Sequence, residues 1–145
     1  MSPLKTLPLL LLPLLASCVN DTASYQMENN DHAIILVREQ PRFWEDRVNL
    51  AVIASRMPDC LRRHKMEPAG LEAKVELFQV GEGFVLRQGK RLYALETRTC
   101  EGFAQLDAEP AEGLGQPLGT FQPEDGGLRF VPVPAAGSEA AAEAR

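Results

Sequence analysis

The sequence predicts a mainly β protein: one small antiparallel sheet of about six strands, with one short helix. Three observations carry this. Ala33-Ile34-Ile35-Leu36-Val37 is a continuous apolar run rich in β-branched residues, with strand rather than helix length. Residues 92–97 alternate, with Leu92, Ala94 and Glu96 on one side and Tyr93, Leu95 and Thr97 on the other. That period of two is what a half-buried strand needs. Glycine-bearing turn signals at Gly81-Glu82-Gly83, Gln88-Gly89-Lys90 and Asp125-Gly126-Gly127 divide the apolar segments at hairpin spacing.

Taken in order, residues 19–31 are polar, with almost no apolar periodicity, and read as a flexible tether. Ala33–Val37 reads as a strand buried on both faces, stopped by Arg38-Glu39-Gln40-Pro41. Phe43-Trp44-Glu45-Asp46 reads as a loop or single turn; Trp44, the only tryptophan, is expected in the core or at its rim, with ligand stacking as the alternative. Val48–Arg56 fits two templates. Val48, Leu50 and Val52 alternate as a strand would, while Val48, Ala51, Val52 and Ser55 make a helical stripe. Strand is the choice, because it gives Ala33–Val37 an antiparallel neighbour. Pro58-Asp59 is a helix-start signal, so Cys60–Lys65 is expected to make one or two helical turns. Strands follow at 73–80, 84–87 and 91–99. Residues 101–118 are loop-rich. Gly119–Phe121 and Leu128–Val131 form a last hairpin around Asp125-Gly126, a pair suited to positive φ. Residues 135–145 are Ala/Glu-rich, with no apolar face to bury, and are expected to be disordered.

The start of the chain has a different character. Leu7–Ala16 is an apolar run of ten residues preceded by Lys5. It is far short of the roughly 20 needed to span a bilayer and matches a signal-peptide apolar region. It closes in Leu15-Ala16-Ser17-Cys18. This stretch resembles the lipobox of bacterial lipoproteins. The resemblance implies that residues 1–17 are a signal peptide removed on maturation. Cys18 would then become the new N-terminus, acylated with fatty chains such as palmitate, and the remainder would lie in the periplasm. Val19, where an Asp would retain such a protein at the inner membrane, implies sorting to the periplasmic face of the outer membrane. The alternative is an ordinary secretory signal with Cys18 as a plain cysteine. The resemblance covers residues 1–18 alone. The expected organisation is therefore signal peptide 1–17, lipidated Cys18 and tether 18–31, periplasmic β domain 32–134 and disordered tail 135–145.

With Cys18 set aside, Cys60 and Cys100 remain as an even pair, which in an exported protein reads as a disulfide. Cys60 and His64 would share a face of the expected helix, and with Cys100 and Asp59 or His32 could make a zinc site or, with Cys60 reduced, a nucleophile. In an oxidising compartment the disulfide reading outranks both. No cofactor motif is present.

The chain carries a formal net charge of −5. The charge is uneven: residues 33–106 hold 12 basic and 10 acidic side chains, whereas residues 107–145 hold two basic and seven acidic ones. That balance is not the footprint of a nucleic-acid binder. Arg62-Arg63-His64-Lys65 is the densest basic cluster, either a solvated face or a contact for anionic partners. The function expected is thus a non-enzymatic binding or scaffolding lipoprotein. It would be held to the membrane through lipid on Cys18, with another envelope protein or peptidoglycan as partner. The rival is a small enzyme or zinc protein using Cys60, His64 and Asp59.

Overall fold

A computed structural model describes residues 19–27 and 29–134. It contains eleven strands: β1 Asn20–Gln26, β2 His32–Glu39, β3 Arg47–Arg56, β4 Cys60–Lys65, β5 Ala69–Gly70, β6 Val75–Val80, β7 Gly83–Gln88, β8 Arg91–Leu95, β9 Phe103–Leu106, β10 Gln116–Glu124 and β11 Gly127–Pro132. They build two antiparallel sheets, not the single sheet expected. One runs β1-β2-β3-β4 with β5 added to β3; the other runs β11-β10-β6-β7-β8-β9. Cys18 and residues 135–145 lie outside the described residues, so the expected lipidation and disordered tail do too.

The core lies between the sheets and is written in alternating residues. Ile34 and Leu36 from β2 and Val48, Leu50, Val52 and Ala54 from β3 face Val75, Leu77, Leu86, Tyr93, Leu95 and Phe121 of the other sheet. β2 and β3 are buried on their outer faces too, at Ala33, Val37 and Ala51, as the unbroken apolar run of β2 requires. The strand reading of residues 48–56 is correct.

Two-residue turns join the central meander: Val80 pairs with Gly83, and Gln88 with Arg91. The last hairpin closes in the same way, Glu124 opposite Gly127. Asp125 and Gly126 both take positive φ, 51° and 79°. That is the primed-turn conformation for which Asp-Gly is suited.

Four further expectations are corrected. The expected tether is β1, paired along its whole length with β2 from Asn20↔Glu39 to Gln26↔Ala33. Its polar composition hid a period of two: Asp21, Ala23 and Tyr25 turn inward while Asn20, Thr22, Ser24 and Gln26 face solvent. An edge strand needs only one apolar face. The expected helix at Cys60–Lys65 is β4, in register with β3. Pro58 opens no helix; it follows a cis peptide bond in the turn between β3 and β4. The strand expected over 91–99 ends at Leu95, and the loop-rich region contains β9.

The sheets meet along two seams. At one, β1 lies against β11, with Tyr25 and Phe130 ring centroids 5.2 Å apart. At the other, β4 and β9 are the free ends of the two sheet orders. Cys60 and Cys100 bridge them by a disulfide with Cα atoms 5.9 Å apart.

Candidate functional site

The residues singled out for chemistry converge on the β4–β9 seam. Cys60 and Cys100 are bonded to each other. His64 Nε2 is 2.7 Å from the Cys100 carbonyl oxygen, and its ring stacks on Phe103 with centroids 4.8 Å apart. Phe103 in turn stacks on Tyr93 at 5.4 Å. The ring ladder Tyr93–Phe103–His64 therefore runs along the inner side of the seam. Asp59 is exposed in the turn before β4. Among the described residues no group of three His, Cys, Asp or Glu side chains is placed to hold a metal. His32, the other possible ligand, is engaged elsewhere: its Nε2 is 2.8 Å from the Thr97 hydroxyl.

Glu96 went unnoticed in the sequence, where it is one residue of an alternating strand. Here it organises the loop that carries Cys100. Its carboxylate accepts from the backbone N–H groups of Arg98 at 2.8 Å, Thr99 at 3.0 Å, Glu101 at 3.1 Å and Gly102 at 3.0 Å, and from the Thr99 hydroxyl. The Thr99 hydroxyl and these backbone donors hold its pKa down to about 2. A glutamate followed within six residues by Thr, Cys and Gly was the available signal.

The basic cluster is divided by the strand. Arg62 and His64 face the second sheet, where Arg62 pairs with Glu101. Arg63 turns to the other face and pairs with Glu39 at 3.1 Å, and Lys65 shares that face. Alternation along the strand splits the four neighbours two and two between its faces.

A second concentration of positive charge has no such pairing among the described residues. A cleft of about 1080 Å³ is lined by Arg47, Lys74, Lys90 and Arg91, with Pro68, Gln88 and Thr120. Its only carboxylate, Glu76, is held by Arg87 at 2.6 and 2.9 Å, and the guanidinium keeps the Glu76 pKa below its usual range. Arg47 donates to the Pro68 carbonyl at 3.1 Å. Buried Gln88 gives its amide N–H to the Glu67 carbonyl at 3.0 Å, and its Oε1 has no partner among the described residues.

Trp44 is not a core residue. It is 66% exposed and Phe43 is 57% exposed, the two rings packing edge to face at 4.8 Å.

His32 supplies a test of the interior. Burial, and secondarily the Arg56 charge, lower its pKa from 6.5. The fold thus favours neutral His32, so the unfolded chain binds more protons as pH falls below 6.5. Stability from this source is present above pH 6.5 and is lost on acidification through the lowered folded value. A His32→Gln variant should show a flatter fall in melting temperature between about pH 7 and pH 5 than the parent. Parallel curves would assign the acid sensitivity elsewhere.

Compared with known proteins, the chain matches no family model, no curated protein and no solved structure.

Proposed function

We propose that the protein is a lipid-anchored binding module of the bacterial cell envelope with no catalytic chemistry of its own. Cys18 carries the anchor, at the periplasmic face of the outer membrane. The Arg47–Lys74–Lys90–Arg91 cleft is the binding face. That cleft carries the reading: four cations gather, without a free carboxylate among the lining residues, on a chain whose net charge is −5. Like charges held together are unfavourable unless a counter-charge is supplied, and an anionic ligand supplies it. Peptidoglycan carboxylates fit this chemistry, as does an acidic patch on another envelope protein.

The disulfide supports an oxidising compartment. It also removes Cys60 as a nucleophile or metal ligand, leaving the rival enzyme reading with only His64 and Asp59.

Two measurements test the reading. Intact mass of the membrane-extracted protein should give a chain starting at Cys18 plus acyl mass; a soluble chain with an unmodified N-terminus would sink the anchor. Sacculi should retain the full-length protein at low salt, and Lys74→Glu with Lys90→Glu should weaken retention by at least about tenfold. Equal retention of variant and parent would remove the cleft from the function.

A further inference from the structure

We propose that the Phe43–Trp44 tip is a membrane-interface contact, so that the domain sits end-on against the bilayer that holds its lipid. The inference rests on acylation of Cys18 as proposed above.

The first observation is position. Cys18 is bonded directly to Val19, and consecutive Cα atoms are about 3.8 Å apart. Val19 is tied to Gln40: the Val19 N–H donates to Gln40 Oε1 at 3.1 Å, and the Gln40 N–H donates to the Val19 carbonyl at 2.7 Å. The same Gln40 amide donates to the carbonyls of Glu45 at 2.6 Å and Phe43 at 3.5 Å. One side chain thus fixes the aromatic tip to the residue next to the anchor. Strand pairing begins at Asn20, which leaves no slack between lipid and domain. The end of the domain that bears Val19 must therefore lie at the membrane surface.

The second observation is chemistry. Phe43 and Trp44 are among the most exposed large apolar side chains of the described residues. They are already packed on each other, so burying them orders little that is not ordered. The Arg42 guanidinium lies 6.0 Å from the Trp44 ring centre and pairs with Glu45 at 2.8 Å. An indole beside charged groups is suited to the boundary between headgroups and acyl chains. Acyl chains hold the protein to the bilayer without fixing how it sits, and a second contact sets that orientation and adds to the hold.

Charge sets the kind of surface. Arg42 is paired with Glu45, Asp46 adds a negative charge to the loop, and Glu124 and Asp125 line one hollow with Val19. The contact is therefore apolar rather than electrostatic. It should form on zwitterionic lipid and be insensitive to salt.

Trp44 is the only tryptophan and reports its own environment. Full-length lipidated protein, its acyl mass verified, is reconstituted into phosphatidylcholine vesicles with and without bromine-labelled lipid. Trp44 emission should shift to the blue on reconstitution and be quenched by the brominated lipid. Phe43→Ser with Trp44→Ser should leave vesicles about tenfold faster than the parent, as expected from the loss of two buried aromatic contacts. Leu61→Ser, an exposed apolar residue at the opposite end of β3, should leave at the parent rate. Acylated, vesicle-bound protein with water-like, unquenched Trp44 emission would overturn the contact and leave the anchor standing. Absence of acyl mass would overturn both. Equal release of all three proteins would also refute the contact.

Discussion

Replacing Cys60 and Cys100 together with alanine should lower the unfolding free energy by about 4 kcal/mol. The bridge joins residues separated by 40 positions, and cutting it restores the conformational freedom of that loop to the unfolded chain. The folded side loses as well. Among the described residues no hydrogen-bonded ladder joins β4 to β9, so the bond, the Tyr93–Phe103–His64 stack, the contact of His64 with the Cys100 carbonyl and the Arg62–Glu101 pair are what hold the seam. Cys100 is fully buried, and truncation there leaves a small void. Urea unfolding of the full-length protein measures the effect. A loss under about 1 kcal/mol would mean that the ring stack and the Glu96 knot suffice, and that the bridge is dispensable. Free thiols in protein alkylated at lysis would be the stronger contrary result.

Asp21→Ala should cost about 3 kcal/mol. Arg38 is buried, and Asp21 takes its guanidinium in a two-point grip at 2.9 and 2.8 Å. Its only other partner among the described residues is the Leu71 carbonyl at 2.9 Å. Removing the carboxylate leaves a buried cation with one neutral acceptor, which is worse than having no cation there. Adding Arg38→Met to Asp21→Ala should therefore recover part of the loss. Hydrogen exchange in β1 should quicken in the single variant, because Asp21 is the side chain that locks β1 over β2. If Asp21→Ala changes stability by less than about 0.5 kcal/mol, the backbone ladder alone holds β1.

What could be read from the sequence tracks how each strand is stabilised. β2, β7 and β8 bury long apolar faces, and β7 and β8 meet at a two-residue turn, so their patterns are local and visible. The Asp125-Gly126 turn was legible for the same reason. β1 was missed because its inward face spends one position on Asp21, whose partner Arg38 lies 17 residues away. β4 was misread because Cys60-Leu61-Arg62-Arg63-His64-Lys65 has no apolar period of either kind; it is a strand because β3 offers an edge and Cys100 offers a bond. β9 is only four residues and takes its register from β8. The cysteine pair was legible from the even count that remains once Cys18 is set aside. The basic cleft was not, because Arg47, Lys74, Lys90 and Arg91 come from widely separated positions on several elements that only the fold assembles.

The β4–β9 seam bears on self-association. The Met66 N–H donates to the Leu50 carbonyl, which places Leu61, Arg63 and Lys65 with their backbone groups turned away from β3. The Glu96 N–H donates to the Gly102 carbonyl, which turns Phe103 and Gln105 away from β8 in the same manner. These are raw strand edges, the templates on which chains aggregate. In the oxidised protein the disulfide ties the two edges to one seam, where Arg63 and Lys65 line a common hollow with Phe103 and Gln105. Arg63 and Lys65 add charge to the longer edge, and the shortness of β9 limits the other. The bridge thus guards solubility as well as folding. A chain left unoxidised would present two unpaired edges to its neighbours, and its fate would depend on how quickly the cysteines find each other.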